Sequence, residues 1–294
     1  MMKFKSWVLG IGLLISNVAF SQTVQDGFRF LDRHQPSRAK QVFDGLVASA
    51  PTGENYFNLG LYYLNLRDWD NAKASFEKGK AADPKNYLNP VGLASILVGQ
   101  NNVSAAKVEF DKIIADTKSK NIDVLYRIAE AYSMYYILGK EESFNANNND
   151  PGEAIRLIDV IQERMLKDKK LPAPEHYIVK GDAFLIKNDG GNAVTAYEAA
   201  IAQDPRNVKA KVKIGTVYLR GKNYKETQAR YKEALDLDSN YAPGHRRYGE
   251  YLIIGGQYKN ASRYFRKYIE KAEATPEVTM ETAKLLFLSK DYDG

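Results

Sequence analysis

The chain has 294 residues, 44% of them hydrophobic, with 42 basic and 36 acidic residues and no cysteine. The missing cysteines exclude disulfides, thiolate chemistry, zinc sites built on Cys and lipid attachment through a cysteine. The net charge of +6 is spread along the chain, and its densest basic cluster is the short Lys167-Asp-Lys-Lys170; nucleic-acid binders concentrate Lys and Arg on one face.

The first 21 residues form a unit of their own. Lys3 and Lys5 precede an uncharged run, and Ala19-Phe-Ser21 before Gln22 supplies a small-x-small cleavage pattern. This predicts a secretory signal peptide cut after Ser21. The apolar stretch is shorter than the roughly 20 residues a membrane-spanning helix needs. Removal of the leader would leave 40 basic residues against 36 acidic ones. An exported chain without disulfides suits a bacterial periplasm, with stability drawn from stacked repeats.

From there the chain is read as repeats. Gly27, Phe30, Ala39, Phe43 and Pro51 mark the first; Gly60, Tyr63, Ala72, Phe76 and Pro84 mark the second. Gly92, Ala106 and Phe110 are taken as the third, with Ser95 in place of an aromatic and two extra residues in the turn at 99–102. Ala129, Tyr132, Ala154 and Ile158 mark a fourth whose helices are pushed apart. Gly181, Gly215 and Gly249, 34 residues apart, head the fifth to seventh, and Ala283 heads an eighth first helix. Twelve residues after those three glycines come Ala193, Thr227 and Ala261, then Tyr197, Tyr231 and Phe265, then Ala200, Ala234 and Tyr268. A fixed period of this length signals stacked helical hairpins. Small residues at recurring slots let two antiparallel helices approach, and the aromatics fill the seam.

Two stretches depart from the period. An Asn-rich insert at about 139–153 reads as an exposed loop, a partner-contacting projection or a tolerated surface insertion. Its oxygen-rich tract lacks the alternating acids, glycine and distal Glu of an EF-hand. Residues 167–173, with Pro172 just before Pro174, read as a stiff linker. The division is thus 1–21 signal peptide, 22–166 repeats one to four, 167–173 linker, and 174–294 repeats five to seven with the first helix of an eighth. That half-repeat leads to the expectation that the natural protein continues past Gly294, since an uncovered solenoid end exposes apolar surface.

The glycine and aromatic spacing resembles the tetratricopeptide repeat (TPR) family, over nearly the whole chain after the leader. The resemblance implies an all-α, right-handed superhelical solenoid of antiparallel helix hairpins, about seven and a half repeats long, whose first helices line a concave partner-binding groove. Slots two, five, six, nine, twelve and thirteen of each first helix would face it. They place Leu61, Leu93 and Leu97 toward an apolar N-terminal half, followed by Tyr126, Arg127 and Glu130, then Asp182, Lys209, Lys213, Arg220, Arg246, Arg247 and Glu250 toward a charged C-terminal half. Arg246 is read as a surface cation whose reversal leaves stability unchanged. The Lys209 and Lys213 spacing is similar to that of members gripping a terminal carboxylate, but Asp182 and Thr216 stand where that motif has asparagine.

Chemistry is nearly absent from the pattern. His34, His176 and His245 have no second metal ligand at helical spacing. No phosphate loop or nucleophile elbow occurs, and Asp189-Gly-Gly-Asn192 reads as a turn. The expectation is a non-enzymatic scaffold or adaptor in the bacterial periplasm with no cofactor and no metal, binding a protein or peptide segment in its groove. The alternatives are a recognition module of a longer protein whose activity lies beyond residue 294, and a structural protein that self-associates through its incomplete last repeat.

Overall fold

The computed structural model describes residues 23–134 and 150–291. The expected signal peptide and residues 139–149 of the Asn-rich insert lie outside them. Among the described residues the chain forms fifteen helices and no strand. They pair as hairpins: α1 (Val24–Asp32) with α2 (Pro36–Ser49), α3 (Gly53–Asn65) with α4 (Trp69–Ala82), α5 (Leu88–Gly99) with α6 (Val103–Asp116), and α7 (Ile122–Tyr132) with α8 (Pro151–Lys167). The series continues with α9 (Pro174–Ile186) and α10 (Gly190–Gln203), α11 (Val208–Arg220) and α12 (Tyr224–Leu237), α13 (Ala242–Ile254) and α14 (Tyr258–Lys271), and a last helix, α15 (Pro276–Leu288). Each hairpin also packs on the next, so α8 meets α9 directly across residues 168–173.

Local chemistry sets the helix ends. Thr52, Asp68, Asn102, Asn121, Asp150, Asp189, Asn207 and Thr275 each cap a helix by accepting a backbone N–H in the first turn. In six of the seven hairpins the turn has three residues, and its middle residue is left-handed: His34 (φ 58°), Arg67 (58°), Asn101 (65°), Asn188 (59°), Lys222 (60°) and Gly256 (69°). A single left-handed residue after a helix reverses the chain in a small space.

The core is a line of notches and knobs. A methyl group placed on Gly181, Gly215 or Gly249 would stand 2.4, 2.5 or 2.4 Å from the rings of Tyr197, Tyr231 and Phe265. Gly27 and Gly60 lie equally close to Phe43 and Phe76. These five rings are fully buried, and only an absent Cβ admits them.

The third hairpin differs from the sequence reading. Gly92 does not lie on Phe110; it lies on Phe76 of the preceding hairpin, where a methyl would come within 2.4 Å. The residue one 34-residue period after Gly60 is Ala94, buried and twelve residues before Ala106. The α5–α6 turn has three residues, as in five other hairpins, so the two supposed extra residues do not exist. Glycine drew the register to the wrong position because in this hairpin the notch is cut for the neighbour's ring.

Candidate functional site

The first helices α9, α11 and α13 bring their charged residues onto one inner face, and the structure pairs those charges. Lys213 contacts Asp182 at 2.7 Å, and Asp182 also accepts from the Tyr197 hydroxyl at 2.5 Å. Arg247 contacts Glu250 at 2.8 Å. Arg246 reaches Glu250 at 3.1 Å and Glu281 of α15 at 2.8 Å, with its side chain only 7% exposed. Arg246 is therefore a buried link between α13 and α15, contrary to its reading as a surface cation. Arg220, at the end of α11, is exposed.

The N-terminal half of the inner face is aromatic. Arg127 of α7 lies over the rings of Phe28 and Phe57, 6.0 and 5.5 Å from their centroids, and bonds Glu130 at 2.8 Å. Tyr126 packs edge-on to His176 at 5.1 Å, and burial, reinforced by Glu130, holds its hydroxyl pKa well above the usual tyrosine value. Leu61 is buried with Phe57 and Phe76. Leu93 and Leu97 are half-buried and pack into separate core clusters. In the corrected register Leu97 occupies the slot of Tyr63, Phe184 and Tyr218; it is a seam residue like them.

The two halves meet. The turn between α1 and α2 lies against the far end of the array: Asp32 accepts from Lys209 at 2.6 Å, and Arg33 donates to Asp238 at 2.6 Å. His34 Nδ1 lies 3.1 Å from the Tyr268 hydroxyl, and the His34 carbonyl accepts from the Glu273 N–H at 2.8 Å. Gln35 donates its amide to the Lys271 carbonyl at 2.7 Å, and the Ser37 N–H donates to the Glu273 carboxylate at 2.6 Å. These contacts join residues at least 177 positions apart.

Electrostatics at this closure follow from burial and charge. Desolvation opposes the Lys209 ammonium, but Asp32, with help from Tyr241 and Asp182, holds its pKa above the usual lysine value. Burial, then the nearby Arg246 and Arg247 guanidinium groups, push the His34 pKa from 6.5 down to about 3.

The closure walls a cavity of about 180 Å³. Lys209, Lys213, Arg220 and Arg247 line it from one side and Asp32 and His34 from the other; Asp32 is the single carboxylate among its lining residues. Asp32, His34 and Tyr241 are among the lining residues that sequence reasoning missed as a site. Asp32 falls at the slot of Arg220 and His34 at the turn position of Arg67, Asn101 and Asn188, so periodicity gives neither a distinguishing mark. Among the described residues no cluster of three metal-ligating side chains occurs, and no helix is long and apolar enough to cross a membrane.

Helix hairpins stacked in one direction around an inner face define an all-α helical-repeat protein. Tetratricopeptide repeat models match residues 53–86 and 178–242, covering the second hairpin and the two that follow the linker. The chain thus carries tetratricopeptide repeats in both halves. It is 31% identical over 81 residues to Tetratricopeptide repeat protein 1 of Schizosaccharomyces pombe, a match to 28% of this chain and 8% of that one. It is also 26% identical over 234 residues to a DnaJ homolog subfamily C member 7 homolog of the same yeast, covering 71% of this chain and 48% of that one. The matches thus span less than half the length of either curated relative. A crystal structure of a tetratricopeptide repeat protein from Parabacteroides merdae superposes with a TM-score of 0.56 at 14% identity, covering 91% of this chain and 97% of that one; the likeness is one of fold.

Proposed function

We propose that this protein is a non-enzymatic interaction scaffold that takes an acidic segment of a protein partner on the inner face of α9, α11 and α13. The observation that carries this reading is the convergence of Lys209, Lys213, Arg220 and Arg247 on one cavity with Asp32 as its single lining carboxylate. A cluster of cationic groups at one cavity can exchange its internal carboxylate partners for those of an acidic segment and so set its register. The aromatic half, with Phe28, Phe57 and Arg127 in contact, would accommodate apolar side chains of the same segment. The leader pattern at residues 1–21 and the lack of cysteine support an exported, periplasmic setting.

The test is capture of partners from an envelope extract of the source cell by the wild-type chain and by Arg220→Glu, a change at an exposed position. A partner held by the wild type and lost by the variant supports the basic inner face as the site. Equal capture by both forms would move the site elsewhere.

A second reading rests on α15, where Met280, Phe287 and Leu288 are 56%, 67% and 57% exposed. A second copy of the chain covering this helix would bury them, and sedimentation of the wild type against Met280→Lys checks it: a dimer lost in the variant is the expected result.

A further inference from the structure

The basic inner face already has an occupant. The α1–α2 turn reaches it with an acid (Asp32), a base (Arg33) and a ring (His34) in consecutive positions, and each finds a matching group: Lys209, Asp238 and Tyr268. The His34 and Tyr268 rings meet edge to face, 5.7 Å apart. Backbone groups of the turn bond Glu273 on both sides, through the His34 carbonyl and the Ser37 N–H. Side chains set the register and main-chain groups add bonds, the two components of segment recognition.

We propose that residues 32–37 act as a built-in competitor for the basic inner face, and that a partner segment of the same acid–base–ring pattern binds by displacing this turn. The inference rests on the reading of that face as a segment-binding site and identifies what must leave it. Several features make the turn displaceable. The Asp32–Lys209 pair is about two-fifths exposed on each side and the Arg33–Asp238 pair is partly exposed; ion pairs in contact with water are individually weak. The turn belongs to the first hairpin, between α1 and α2, so its release requires that hairpin to swing away while the later repeats, each depending on its neighbours, stay stacked. A tethered occupant raises the concentration that a free partner must match. The apparent affinity of the partner therefore falls by the fraction of molecules that are open.

The absence of native cysteine allows spin labels at two exposed sites, Arg38→Cys on α2 and Glu270→Cys on α14. In the full chain the expected result is one narrow, short distance. The double reversal Asp32→Lys with Arg33→Glu makes both ion pairs repulsive and should lengthen and broaden the distance while the helical circular dichroism stays unchanged. The variant pair Arg33→Ala with His34→Asn gives a second opening, using a residue type that already holds the same left-handed turn position at Asn101 and Asn188.

The probe for competition is the synthetic peptide Phe30–Arg38, with its Asp32→Lys version as control. It should bind the opened chain about tenfold or more tighter than the wild type, and the control should bind neither. A wild-type distance as broad as that of both opened variants would sink the closure itself. Equal peptide affinity for closed and open chains would sink the competitor role. Binding to neither form, with the labels reporting closure and release, would instead overturn the segment-binding reading of the face.

Discussion

Repeats five to seven and repeats two to three build the same hairpin with different parts. In the later group each glycine faces the aromatic of its own second helix, three times over. In the earlier group Phe76 lies between Gly60 of its own hairpin and Gly92 of the next. Gly79, where the later repeats carry Ala200, Ala234 or Tyr268, opens a gap that Asn89 fills, its amide donating to the Gly53 carbonyl at 2.9 Å. The solenoid therefore requires that every notch be filled and every turn be short, and does not require that the filler come from a set position. The inner faces differ too: repeats five to seven present paired charges, while the N-terminal half packs aromatic and aliphatic side chains.

The strongest way to break this comparison is to close a notch. Gly215→Leu would drive a side chain into the buried Tyr231 ring, and overpacking of this kind costs about 3 kcal/mol. The expected outcome is a marked loss of thermal stability. Gly45 supplies the contrast, because it is an exposed glycine inside α2 with nothing within 4 Å of an added methyl. Gly45→Ala should raise stability by about 0.5–1 kcal/mol through helix propensity alone.

Charge reversal sharpens the comparison further. Arg246→Glu would place a third carboxylate against Glu250 and Glu281. It should cost about 2–3 kcal/mol in a thermal melt, since it replaces the attraction of a buried cation for two part-buried carboxylates with repulsion. Arg220→Glu, at an exposed site on the same face, should fall within about 0.5 kcal/mol of the wild type.

Proton concentration gives a smaller and reversible effect. His34 is neutral in the closed form, with Arg246, Arg247 and Tyr268 facing it and Glu250, Glu281 and Glu273 beyond. Its pKa of about 3 lies below the 6.5 of a free imidazole, so the open form binds the proton more readily. The contribution to closure is complete above pH 6.5 and is lost progressively as the pH falls toward 3. The distance between labels at 38 and 270 should lengthen across that window, and His34→Asn should flatten the dependence.

Much of the fold is legible in the residues themselves. Gly181, Gly215 and Gly249 mark their notches because a 34-residue period leaves no other residue able to sit beneath a ring at that slot. Gly92 misleads for the same reason, as the most conspicuous small residue near the expected slot while the less conspicuous Ala94 holds it. The site is harder to read. Lys209, Lys213, Arg220 and Arg247 are visible as a basic series along first helices, yet their partners are not. Asp182 is one slot among many acids, and Glu281 lies 35 residues from Arg246. Asp32 and His34 meet their partners only because the stacked hairpins curve back on themselves, a property of the summed rotations that no single residue carries.

That curvature has a consequence for how the chain assembles and comes apart. In an open array the ends fray first and independently, because each terminal repeat has one neighbour. Here the first hairpin is bonded to the end of α12 across 205 residues through Arg33 and Asp238, and to the last full hairpin across 234 through His34 and Tyr268. Loop closure over such spans costs only slightly more entropy than over short ones, but contacts so distant form after the local ones. Folding should end with a distinct docking phase, the slowest of the sequence. Amide protons in α1 and α14 should exchange at linked rates, as the two ends of one lock.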